Sequence, residues 1–148
     1  MTRVAMAFLL LCTLVAAIGA ARARADGGLF QESLTLDSGR ILVVSEPRLE
    51  PRSVGSFSVR LYSGRDARFP YDDFLSGVIL PRDGVVERLC PLPAEPDGQT
   101  VLVMVRSVGT GGYLSGHSLL IQDGSIDATP FEWSGQAENP GASCAAAG

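Results

Sequence analysis

Between residues 56 and 62 apolar and polar side chains alternate strictly. Phe57, Val59 and Leu61 fall on one parity, and Ser56, Ser58, Arg60 and Tyr62 on the other. A period of two sets one row against a core and the other toward solvent, as in a half-buried antiparallel strand. Residues 29–36 carry the same period at Leu34 and Leu36, and residues 40–45 add Ile41, Leu42, Val43 and Val44 after Asp37-Ser38-Gly39. The two runs predict a hairpin around that turn. Pro47 and Pro51 mark residues 46–52 as a connector.

Further along, residues 75–80 predict a strand, Pro81-Arg82-Asp83-Gly84 a turn, and residues 85–89 the return. Proline fixes φ and glycine accepts positive φ, so this turn has a mechanism. Residues 100–108 are apolar on both parities, which predicts a central strand covered on both faces. Residues 113–121 return after the glycines, Asp123-Gly124 turns the chain, and residues 125–129 supply a last strand. Phe131 and Trp133 are expected to pack back on the core. No helical period of useful length follows residue 25, and turn signals recur about every 8–12 residues. The fold class expected is all-β, an antiparallel β-sandwich of about eight short strands.

The first 25 residues have a different pattern. Arg3 is followed by an apolar run over residues 5–17 and by Ala23-Arg24-Ala25, a small-x-small sequence. This is the layout of a cleavable signal peptide, and the apolar run is short for a membrane span. Cleavage is expected after Ala25, with Ala20 and Ala23 as earlier sites. The domain plan is a signal peptide over 1–25, a β-sandwich over 26–133 and a flexible C-terminal tail over 134–148. The tail is Gly-, Ala- and Ser-rich, with little to bury unless Cys144 ties it down.

Processing also changes the charge. Losing Arg3, Arg22 and Arg24 leaves 9 arginines, no lysine and 16 acidic residues, a net charge of −7. Such a surface disfavours nucleic acid and anionic membrane and favours basic partners. Two cysteines remain, Cys90 and Cys144. In an oxidising compartment two cysteines allow one bridge, which would pin the tail to the domain. The alternatives are a free Cys144 or pairing between chains, and a homodimer is compatible with the sequence.

Most reactive chemistries lack a partner here. His117 is the single histidine, and Gly112-Tyr113-Leu114-Ser115-Gly116 is not the Gly-x-Ser-x-Gly turn of a serine hydrolase. Asp72 and Asp73 are adjacent, so on extended backbone they point apart and make no glycosidase dyad. Gly109-Thr110-Gly111-Gly112 lacks the lysine and helix of a phosphate loop. Glu95-Pro96-Asp97-Gly98 has too few ligands for calcium, and two cysteines without clustered histidines make no zinc site. No catalytic residue, metal or cofactor is expected.

What remains is Val105-Arg106-Ser107-Val108-Gly109-Thr110-Gly111-Gly112-Tyr113-Leu114, a strand end, a glycine loop and a strand start. Glycines allow a thin loop with positive φ, while Thr110 offers a hydroxyl and Tyr113 a rigid phenol. Those groups suit entry into a narrow cleft and donation to carboxylates. A plain tight β-turn explains the glycines equally well.

Three segments carry a resemblance. They are Ser53-Val54-Gly55-Ser56-Phe57-Ser58-Val59-Arg60-Leu61-Tyr62, the run from Phe69-Pro70-Tyr71-Asp72-Asp73-Phe74 through Pro81-Arg82-Asp83-Gly84, and Gly111-Gly112-Tyr113-Leu114-Ser115. Together they resemble the periplasmic inhibitors of i-type (invertebrate) lysozyme, over roughly residues 29–122. The resemblance implies a periplasmic β-sandwich, not an enzyme, whose partner is the i-type lysozyme of an animal host. It also implies that a Ser-Gly-x-Tyr loop enters the lysozyme cleft as a key. Gly111 and Tyr113 match that motif, Gly112 fills its variable position, and Thr110 stands where the family has serine. Ser107 and Gly109 are then supporting loop residues. The alternative is a periplasmic module, glycan-binding or structural, with Tyr62, Tyr71 and Trp133 as stacking surfaces.

Overall fold

A computed structural model describes residues 29–64, 73–109, 114–133 and 144 of the chain. The expected signal peptide and most of the expected tail lie outside the described residues. Eight strands follow one another: β1 (Gln31–Thr35), β2 (Ile41–Ser45), β3 (Gly55–Tyr62), β4 (Phe74–Arg82), β5 (Val85–Pro91), β6 (Gln99–Arg106), β7 (Leu114–Gln122) and β8 (Ser125–Trp133). They form two four-stranded antiparallel meanders, β1-β2-β3-β4 and β5-β6-β7-β8. The expected all-β sandwich is the observed fold.

The period-two rows decide which face each strand buries. Leu42 and Val44, Phe57, Val59 and Leu61, and Leu80 come from the first sheet, and Val101, Val103, Val105, Leu119 and Ile121 from the second. Each such side chain contributes about 1.5–3 kcal/mol when withdrawn from water. The double-sided character of β6 is also explained. Its odd positions face the other sheet, whereas Leu102 and Met104 enter a second cluster with Cys90, Leu114, Phe131, Trp133 and Cys144. Phe131 and Trp133 therefore pack on this outer cluster and not between the sheets. Cys90 and Cys144 form a disulfide with their Cα atoms 5.3 Å apart.

Two expectations are corrected. The segment 75–80, turn, 85–89 is not a hairpin, since β4 pairs with β3 and β5 with β6. The chain passes from one sheet to the other at Asp83-Gly84, and Pro81 and Arg82 belong to β4. Proline is tolerated there because β4 is an edge strand. The last strand runs to Trp133 rather than stopping at Thr129, because Leu114, Ser115 and Gly116 of β7 pair with Trp133, Glu132 and Phe131.

Chain direction sorts the connections onto two ends. One end gathers residues 46–54, the Asp83-Gly84 crossing and the two legs of the β6–β7 loop at 107–109 and Leu114; the other gathers 36–40, 63–64, Asp73, 92–98 and 123–124.

Candidate functional site

The β6–β7 loop leaves the sandwich above the rung that pairs Arg106 with Leu114. Ser107 is half-buried, and Val108 and Gly109 are exposed. Thr110, Gly111, Gly112 and Tyr113 lie outside the described residues. The two legs of the loop are therefore placed, and so is what holds them.

The outgoing leg is held from two sides. The Arg106 guanidinium grips the Glu87 carboxylate, with Nη2 2.8 Å from Oε1 and 3.0 Å from Oε2 and Nε 3.2 Å from Oε1. Glu87 sits where the β5–β6 register shifts, between Val86 and Arg88. A bulge of this kind re-aims a side chain. On the other side Gly84, at φ +129°, lies directly on the Arg106 carbonyl. A Cβ there would collide with that oxygen and stand 2.9 Å from the Ser107 Cα. Only glycine satisfies both the backbone angle and the approach.

Gly84 is fixed in turn by Arg82, whose Nη1 donates to the Gly84 carbonyl and to that of Arg52 at 3.0 Å. Its Nε donates to the Ser56 carbonyl at 3.0 Å and its Nη2 to that of Pro51 at 3.1 Å. Its charge is balanced by Glu46, 3.3 Å away. Glu46 also accepts from the Val86 amide at 2.8 Å and the Phe30 amide at 3.2 Å. A buried ion pair persists only when its remaining donors and acceptors are satisfied, and these are. Glu50 completes the group by accepting from the amide and hydroxyl of Ser56. Those two bonds, and the Arg82 charge to a lesser degree, hold its carboxyl below the ordinary range against an opposing effect of burial. Pattern reasoning missed this network. Arg82 follows a proline and precedes Asp-Gly, so locally it looks like a turn residue. Its partner lies 36 positions earlier in the chain, beyond the reach of any local signal.

The rival sites do not assemble. His117 faces the core, with its ring 5.5 Å from that of Phe57 in an edge-on arrangement, and burial lowers its pKa. Asp73 is at the far end, and Asp72 is outside the described residues. Tyr62 is fully buried and set edge-on to Phe74, which leaves no ring face for a sugar. Trp133 is half-buried in the outer cluster, and Tyr71 is outside the described residues. A hollow of about 390 Å³ at the far end is lined by residues including Asp37, Arg40, Glu95, Asp97 and Gln99. Among the described residues no group of three or more His, Cys, Asp or Glu is arranged to hold a metal ion.

Comparison with known proteins separates these possibilities further. The crystal structure of the periplasmic lysozyme inhibitor of I-type lysozyme from Aeromonas hydrophila is 41% identical, with a TM-score of 0.64, over 74% of this chain and 94% of that one. The Aeromonas hydrophila inhibitor in complex with Meretrix lusoria lysozyme is likewise 41% identical, with a TM-score of 0.65, over 74% of this chain and 90% of that one. No curated protein matches. The family model described as periplasmic lysozyme inhibitor of I-type lysozyme matches residues 29–132, nearly all of the two sheets, and the chain belongs to that family.

Proposed function

We propose that this protein blocks an I-type lysozyme of an animal host by placing Thr110-Gly111-Gly112-Tyr113 in the enzyme's cleft. The observation that carries the reading is the likeness to an inhibitor solved with a Meretrix lusoria lysozyme. The fixed base of the β6–β7 loop supports it. Lysozymes act with two carboxyl groups, one of them kept as an acid. The Thr110 hydroxyl and the Tyr113 phenol would donate to those groups and keep sugar out. The protein then acts by binding alone and catalyses nothing. Residues 1–25 deliver it to the periplasm and are removed, and 134–148 form a tail beyond the inhibitory domain.

The test is a cell-wall lysis assay with purified mature protein titrated against i-, c- and g-type lysozymes. Stoichiometric inhibition of an i-type enzyme is expected. Full lysis by every i-type enzyme at micromolar protein refutes the reading.

A further inference from the structure

The loop's outgoing leg is held by Glu87 and Gly84. Its returning leg begins at Leu114, which has Arg106 on one side and Trp133 on the other. Trp133 is the last residue of β8, an edge strand, so no further strand supports that rung. Leu114 also packs into the outer face of the second sheet. There Cys90, Leu102, Met104 and Leu114 are buried in one continuous patch, with Phe131, Trp133 and Cys144 packed against it.

The residues of the patch are placed to transmit a restraint. Leu102 and Met104 succeed each other on the outer face of β6, and Cys90 pairs with Leu102. Met104 pairs with Gly116. Gly116 has no side chain, and a Cβ there would meet the Val103 carbonyl and stand 3.1 Å from the Phe131 ring. Phe131 therefore closes over that position, and Met104 and Leu114 are buried in the same cluster. Without the bridge to Cys90, nothing covalent returns the chain to this face after Trp133.

We infer that the Cys90–Cys144 disulfide is a positioning element for the inhibitory loop, holding Leu114 and Trp133 in register through the outer apolar patch. The inference rests on the proposed role of the loop. Inhibitory competence is then set by the oxidising compartment in which the bridge forms.

The test compares mature wild type with Cys90→Ala/Cys144→Ala by two readings, inhibition of an i-type lysozyme and amide hydrogen exchange. The expected result is at least tenfold weaker inhibition. Exchange should be at least tenfold faster in peptides covering 106–108 and 114–116 and unchanged in β2 and β3. Inhibition within twofold of wild type with unaltered exchange at the loop base overturns the inference, as does a uniform rise in exchange across both sheets. Should the double variant not fold, Trp133→Ala decides. It keeps the bridge but interrupts the patch beside Leu114, and unchanged exchange and inhibition there also overturn the inference. Wild type that inhibits no lysozyme refutes the loop's role instead, while faster exchange at 114–116 in the variant still upholds the positioning.

Discussion

Arg82 Nε lies 3.3 Å from Glu46 Oε1, and the two side chains are 1% and 2% exposed. One carboxylate thereby joins the end of β4 to the Val86 amide of β5 and the Phe30 amide ahead of β1. Among the described residues the pair stands where the chain passes between the sheets, next to Gly84, which lies on the Arg106 carbonyl. Removing one member leaves the other charged and buried, which costs about 3–5 kcal/mol. Glu46→Ala and Arg82→Ala should each lower unfolding free energy by that order in urea titrations. Their combination should cost less than the sum, because the partners share one interaction. Additive losses would mean that the two residues act separately.

His117 predicts a pH dependence of stability. Burial against Phe57 lowers its folded pKa from the ordinary 6.5, so the folded chain favours neutral imidazole. The unfolded chain binds the proton first as pH falls. The stabilisation is therefore complete above about pH 6.5 and is lost as pH drops through the lowered folded value. Melting temperature should be flat above that point and decline from there toward pH 5. In His117→Leu this part of the decline should vanish, leaving only the carboxylate-driven loss at lower pH. A parallel decline in both proteins would assign it elsewhere.

The Arg82–Glu46 pair shows where sequence patterns stop, and strands β3 and β6 show where they inform. Phe57, Val59 and Leu61 announce their face by alternation, and the double-sided apolarity of β6 anticipates the outer cluster that holds Cys144. Such signals are local, because strand period and burial are set by neighbouring residues. Which strands pair across Asp83-Gly84 is not local. A Pro-x-Asp-Gly turn looks the same whether the chain folds back or crosses to a second sheet, and the partner that Arg82 meets at the crossing, Glu46, lies 36 positions away. The β6–β7 loop is marked in the sequence by composition alone, since Gly109, Thr110, Gly111, Gly112 and Tyr113 interrupt two apolar runs, and that pattern suits a tight turn as well as a recognition loop.

Within the loop, Thr110 and Tyr113 are expected to act as separate donors. Loss of a hydrogen bond to a charged group costs about 1.5–3 kcal/mol. Thr110→Ala and Tyr113→Ala should therefore each raise the inhibition constant by roughly ten- to a hundredfold. Melting temperature is followed alongside, so that weaker inhibition without a shift assigns the effect to contacts with the enzyme rather than to the fold. Thr110→Ser keeps the hydroxyl and frees χ1, so it should differ from wild type far less than Thr110→Ala. Wild-type inhibition by both alanine variants would exclude the loop as the key.

Charge gives the last prediction, and it concerns rate. With cleavage after Ala25 the mature chain carries 9 arginines against 16 acidic residues, a net −7. Toward a basic lysozyme this field speeds encounter, and it is screened beyond about 10 Å at 0.1 M salt and about 3 Å at 1 M. The contacts proposed within the cleft are short and shielded, so salt affects them much less. Association measured by stopped flow against a basic i-type lysozyme should slow severalfold or more between 50 mM and 500 mM salt (roughly 14 Å to 4 Å of screening length), while dissociation changes little. An acidic i-type lysozyme should reverse the trend, because screening then relieves repulsion. A salt-independent association rate with the basic enzyme would show that the acidic surface plays no part in finding it.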